Sequence, residues 1–212
     1  MVLNKLQALK LIKLLNRSIK NPETSLKYRN QFTLLTSVVL SAQCTDTNVN
    51  NVTKDIYKKY YTPKHFADLG ITKIKKMIRG IGLFNMKAKN LYNLSKILIE
   101  KYQSKIPNNF NDLINLPGVG RKTANVVLNA AFNKATIAVD THVFRVSNRT
   151  GLTKGKNPNQ VEDQLLKILS NKYLKKAHNL ILLHGRYICK SRNPLCVQCV
   201  INKICLYKDK NV

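Results

Sequence analysis

With 212 residues, 24.2 kDa and 44% hydrophobic against 22% charged residues, the chain can bury a substantial core as one large domain or two small ones, and its 8 Gly and 6 Pro exclude collagen-like, low-complexity and disordered classes. Lys plus Arg number 37 against 10 Asp plus Glu, a formal net charge of +27 that makes nucleic acid the first candidate partner. Because Lys accompanies abundant Asn and Ile throughout, part of that excess is compositional, and only position separates working cations from a solvated face.

No run approaches the ~18 uncharged apolar residues of a spanning helix. Met1 to Asn16 interrupts its leucines with Lys5, Lys10 and Lys13, so it reads as neither signal peptide nor anchor. Leu3, Leu6, Leu9, Ile12 and Leu15 there form a helical stripe, and Phe32, Leu35, Val38, Val39 and Ala42 form a second that closes at Ser41-Ala42-Gln43. Cys44, in the same helical stretch, is expected to be a buried apolar residue, and Asp46 is expected to cap the next helix. Breakers at Asn21-Pro22, Thr62-Pro63, Gly70, Gly80-Ile81-Gly82, Ile106-Pro107, Pro117-Gly118, Gly151, Gly155 and Asn157-Pro158 cut the chain into about ten helices. Alternating strand patterns are nearly absent, and the predicted class is all-α.

Ile114 to Leu128 reads as a helix end, a tight turn and a second helix. Gly118 and Gly120 in that turn can take dihedrals closed to other residues and let the backbone approach a ligand, while the next helix offers unpaired N–H groups and a positive dipole end. Pro117, the two glycines and then Arg121-Lys122 exceed what a turn requires, and the segment is predicted to seat an anion. Downstream, Asp140 follows the apolar run Thr136-Ile137-Ala138-Val139 and sits where a helix N-cap belongs. His142, His178 and His184 read as packed or hydrogen-bonded. Neither a zinc-hydrolase His-Glu pair nor a nucleotide-hydrolase phosphate loop occurs.

Of 5 cysteines, Cys189, Cys196, Cys199 and Cys205 crowd the C-terminal end beside Lys190, Arg192 and Lys203, as a separate module. An odd count in a chain of this length suits a reducing cytosol and a metal more than a disulfide framework. The spacing Cys-x6-Cys-x2-Cys-x5-Cys brings four thiolates within reach of one centre, which suits zinc or iron–sulfur equally.

Leu116-Pro117-Gly118-Val119-Gly120-Arg121-Lys122, then Val139-Asp140-Thr141-His142-Val143, then the cysteine tail, in that order and over essentially the whole chain, resemble the endonuclease III family of helix-hairpin-helix DNA glycosylases. The resemblance implies two helical lobes, residues 24–135 as a six-helix barrel with the hairpin, and 1–23 plus 136–212 around a [4Fe-4S] cluster held by Cys189, Cys196, Cys199 and Cys205. A cleft between the lobes would hold Lys122, matching the family's amine, and Asp140, matching its carboxylate. Arg121 and the helix N-terminus both disfavour a second positive charge on Lys122. Gln43 and Leu83 match the pair that fills the gap left by an extruded nucleotide, and Lys190, Ser191 and Arg192 would form a basic finger for phosphate.

The implied function is a monomeric bifunctional base-excision-repair enzyme acting on double-stranded DNA with oxidised pyrimidines or abasic sites. It would release the base through a Lys Schiff base and cleave the strand by β-elimination. Two rivals stand beside it. An adenine-type monofunctional glycosylase would lack the hairpin lysine and carry a further C-terminal domain. A non-catalytic DNA-binding or redox module would use the same hairpin and cluster without chemistry.

Overall fold

The computed structural model describes residues 1–20, 22 and 24–211, which form ten α-helices and no strand. In chain order these are α1 (Lys5–Ser18), α2 (Gln31–Leu40), α3 (Asp46–Lys59), α4 (Pro63–Met77), α5 (Phe84–Tyr102), α6 (Phe110–Ile114), α7 (Arg121–Phe132), α8 (Thr141–Thr150), α9 (Pro158–Ile168) and α10 (Asn171–Tyr187). Among the described residues, no helix is long and apolar enough to cross a membrane.

Helix starts follow local side-chain chemistry. Asn4, Asn30, Thr45, Thr62, Asn109, Asp140 and Asn157 each accept a hydrogen bond from the backbone N–H three positions on, which satisfies one of the orphan donors at a helix start. Proline occupies the first turn of α4 and α9, where its missing N–H costs nothing. The cap of α3 is Thr45, and Asp46 is its first helical residue, correcting the expectation that Asp46 caps. An acid one position inside still favours the positive dipole end. Gly70 does not end α4 but kinks it, at φ 69°.

The chain divides into two compact units, Thr24–Phe132 and Met1–Glu23 with Asn133–Val212. In the first, α2 is buried along its whole length from Phe32 to Leu40, so it is the central helix and shows no polar face. Leu34 and Leu35 of α2, Phe66 of α4, Leu91 and Leu94 of α5 and Val127 of α7 belong to one apolar core. Ala42 is exposed beyond the helix end and does not extend the stripe.

In the second unit the core joins Leu11, Ile12 and Leu15 of α1 to Val143 and Val146 of α8 and Leu180 and Ile181 of α10. The stripe predicted for α1 is shifted, because Asn4 starts the helix and Ala8, Leu11, Ile12 and Leu15 make the buried face. Leu6 is left 77% exposed. Leu3, outside the helix, is buried and donates its N–H to Gly151 O at 2.8 Å, tying the start of the chain to the end of α8. Gly151 holds φ 83° as the cap of α8, and a Cβ there would lie 2.6 Å from Leu206 Cδ1, so both backbone angle and packing require glycine.

Candidate functional site

The hairpin lies in the first unit. Leu116 and Val119 are buried and anchor the turn, and it closes through Leu116 N–H to Leu113 O at 3.1 Å and Val119 N–H to Leu116 O at 3.0 Å. Its glycines differ. Gly118 has φ 79°, and an added Cβ would meet Asn90 Nδ2 at 2.9 Å and Val39 Cγ1 at 3.2 Å, so glycine is needed for conformation and for packing. Gly120 has no positive φ, and a Cβ there would meet nothing within 4 Å. The sequence expectation of special dihedrals at both therefore holds for Gly118 alone, whereas Gly120 keeps open space in front of the backbone.

Arg121 and Lys122 are exposed in the first turn of α7, which has no acidic residue. Cations at the positive end of a helix dipole are unfavourable by a few tenths of a kcal/mol, up to about 1, so this arrangement suits an anion more than it suits the isolated helix. The Arg121 guanidinium lies 5.4 Å from the Phe110 ring centroid, a cation–π contact across the hairpin.

Gln43 and Leu83 stand in two neighbouring loops of the same unit. Both residues are left-handed, with φ 54° and 59°, a conformation that costs a side-chain-bearing residue about 1 kcal/mol or more and clusters at functional sites. Gln43 is exposed and Leu83 is 50% exposed, so Leu83 is not a core residue. The loops are joined where Asn48 Nδ2 donates to Gly80 O at 2.9 Å, and a Cβ on Gly82 would lie 3.7 Å from Gln43 O. Cys44 is in this loop, half-buried and accepting from Asn48 Nδ2 at 3.2 Å, not inside a helix as expected. Lys87 of α5, which sequence reasoning did not single out, is 2% exposed and donates Nζ to Leu40 O at 2.8 Å and Ala42 O at 2.6 Å.

Asp140 belongs to the second unit. Its Oδ1 accepts from Val143 N–H at 2.7 Å at the start of α8. Two residues on, His142 Nδ1 lies 3.2 Å from Arg145 Nη2, and His178 Nδ1 lies 2.8 Å from Ala138 O.

Cys189, Cys196, Cys199 and Cys205 line one small cavity. Burial pushes the Cys199 and Cys205 thiols up, and negative charge on the other cysteines would push them further. Among the described residues no three His, Cys, Asp or Glu side chains converge on a point fit for a single metal ion. Four thiols on one cavity are a donor set that suits zinc or iron–sulfur. Burial also lowers His184 to about 4, keeping a neutral imidazole whose Nε2 lies 3.7 Å from Cys199 Sγ.

The loop between the first two cysteines hangs on α8. Arg145 donates Nε to Cys189 O at 3.2 Å and Nη2 to Gly185 O at 2.8 Å. Arg149, one turn later, donates to Lys190 O at 2.6 Å and Ser191 O at 2.8 Å, and its guanidinium lies 4.8 Å from the Tyr207 ring centroid. This grip leaves the Lys190 and Arg192 side chains exposed. The signal available in the sequence was the Arg145/Arg149 pair, spaced i,i+4 on a helix otherwise read only for Asp140.

A family model described as "HhH-GPD superfamily base excision DNA repair protein" matches residues 36–171. The chain is 54% identical to endonuclease III of Rickettsia conorii over 93% of this chain and 94% of that protein. It is 45% identical to endonuclease III of Escherichia coli K12 over 98% and 99% of the two chains. Its fold is similar, with TM-score 0.90, 40% identity and 97% coverage of both chains, to a structure described as a trapped endonuclease III–DNA covalent intermediate.

Proposed function

The chain belongs to the HhH-GPD superfamily of base excision DNA repair proteins, and from that premise we propose that it is a DNA glycosylase and abasic-site lyase that releases oxidised pyrimidines from duplex DNA. The observation that carries this reading is Lys122 exposed beside Arg121 in the first turn of α7, directly after a hairpin with open space before Gly120. An amine there is carried to a backbone phosphate by the same hairpin that binds it.

In the proposed reaction the Lys122 amine attacks C1′ of the deoxyribose, the glycosidic bond breaks, and the base leaves with the bond electrons and a proton. The sugar ring opens to a Schiff base on Lys122. Loss of a C2′ proton then expels the 3′ phosphate oxygen, which cuts the strand. Asp140 supplies negative charge against the oxocarbenium-like sugar, held in place by its bond from Val143 N–H. Gln43 and Leu83 fill the stack once the nucleotide has left it.

Cys189, Cys196, Cys199 and Cys205 would hold a [4Fe-4S] cluster, supported by four thiols around one cavity. When bound it supplies a rigid body around which the C-terminal segment folds, and the exposed Lys190 and Arg192 then meet phosphate.

Borohydride reduction on abasic DNA tests the reading. The wild-type chain is expected to form a covalent adduct, and Lys122→Gln to form none while keeping its melting temperature, since an exposed cation contributes little stability. Trapping by Lys122→Gln at the wild-type level would overturn the assignment.

A further inference from the structure

Lys87 is a buried cation, and no ion pair among the described residues includes it. Burying an ammonium costs free energy unless hydrogen bonds replace its water, and a methionine of similar length would fill the same space without that cost. What the ammonium gains is one place in the fold. Its Nζ donates to Leu40 O and Ala42 O, at the carbonyl end of α2, where the helix dipole favours a cation. Its own N–H donates to Leu83 O at 3.0 Å, the bond that opens α5.

The same residue therefore grips Leu83 through its main chain and, through its side chain, the carbonyls of Leu40 and Ala42 just before Gln43. Leu83 and Gln43 are both left-handed without being glycine, and a strained backbone persists only where its surroundings over-determine it. The cap of α5 has no side-chain hydrogen bond of its own, which leaves packing and this lysine to fix the turn. Burial pulls the ammonium's pKa down from the ordinary lysine value.

We infer that Lys87 is a positioning residue that locks the Gln43 and Leu83 loops into one register, so that both side chains enter the duplex as a unit when a nucleotide is extruded. It touches neither DNA nor the reacting atoms. The inference rests on the inserting role proposed for Gln43 and Leu83.

Its signature is a dependence on the opposing strand. A single-stranded abasic oligonucleotide has no partner strand and no gap in a stack to fill, so its cleavage by Lys122 does not need the two loops. Lys87→Met is expected to slow single-turnover base release from duplex DNA about 100-fold, the order that a misplacement of ~1 Å costs, and to leave single-stranded cleavage within about threefold of wild type. Lys87→Gln, which keeps one donor, should fall between. In the Lys87→Met background, Gln43→Ala should cost little more, because the two changes remove one shared arrangement.

An equal fall on both substrates, unchanged duplex release or additive losses would overturn the inference. If Lys87→Met does not fold, the ratio of duplex to single-stranded rates is read on Lys87→Gln, and an unchanged ratio overturns it equally. Failure of the underlying reading looks different: there, Gln43→Ala and Leu83→Ala leave duplex release at the wild-type rate, or Lys122→Gln keeps strand cleavage.

Discussion

The two units are held together in different ways. Thr24–Phe132 is one continuous stretch whose helices α2–α7 share a core that includes α2, buried from Phe32 to Leu40. The other unit gathers both ends of the chain, and its described residues after Tyr187 form no helix. That tail packs Ile201, Ile204 and Leu206 on the core and is also held by donors to its carbonyls, with Arg145 and Arg149 on Cys189, Lys190 and Ser191, and Lys210 on Asn202. The contrast teaches that packed helices organise both cores, whereas the segment after α10 is also held by polar grips from α8.

The comparison is sharpened most by Asp140, where one side chain carries a local and a proposed chemical task. Asp140→Asn should slow base release by at least ~100-fold, the order for removing a pre-placed electrostatic stabiliser. The amide oxygen can still accept from Val143 N–H, and Asn caps about as well as Asp, so the melting temperature should hardly move. A lowered melting temperature with normal turnover would make Asp140 a cap only.

Next comes the cysteine segment. Purified anaerobically, the protein should contain about four irons per chain, and Cys199→Ser should lose them. Limited proteolysis should then cut within residues 189–211 while the fragment 24–132 persists, because metal binding is coupled to folding of that segment alone. One zinc per chain would overturn the cluster, and simultaneous loss of both units would break the contrast.

Within the first unit the two hairpin glycines should separate stability from binding. Gly118→Ala is expected to destabilise by ~1–3 kcal/mol, through positive φ and the contact with Asn90. Gly120→Ala should stay within ~0.5 kcal/mol of wild type in denaturant melts yet weaken DNA binding, since a methyl now stands where the phosphate approaches. Equal stabilities for the two variants would refute the division of labour.

The smallest effect concerns Tyr57, whose buried hydroxyl bonds Thr36 and Ser37 of α2 at 2.8 and 2.9 Å. Burial pushes its pKa from 10.0 up to about 12. A raised value means the folded state keeps a proton that the unfolded chain releases, so this contribution is complete below pH 10 and falls by ~1.4 kcal/mol per pH unit as pH rises toward 12. Tyr57→Phe should cost about 1 kcal/mol at pH 8 and flatten that alkaline limb, as unfolding at pH 8 and pH 11 would show. An identical alkaline slope in the variant would assign the loss to other groups.

The sequence by itself determined what depends on neighbours along the chain. The all-α class follows from periodicity, and the Asp140 cap, the Thr62-Pro63 start of α4 and the Gly151 stop of α8 follow from local backbone chemistry. The cysteine spacing could be read as a candidate metal module from sequence, because ligands in one short segment need no fold to be near one another. Other features turn on residues far apart in the chain, and those only the tertiary structure decided. Leu6 and Ala8 share a helix, yet which one is buried depends on where α8 and α10 pack. Gly118 and Gly120 look alike in sequence, and only the backbone angle and the approach of Asn90 and Val39 distinguish them. Lys87 reads as one more cation among 37, because nothing local reveals that α2 ends against its ammonium. A helix cap is a matter of three residues, whereas the burial of a charge is settled by chain that arrives from forty-seven positions away.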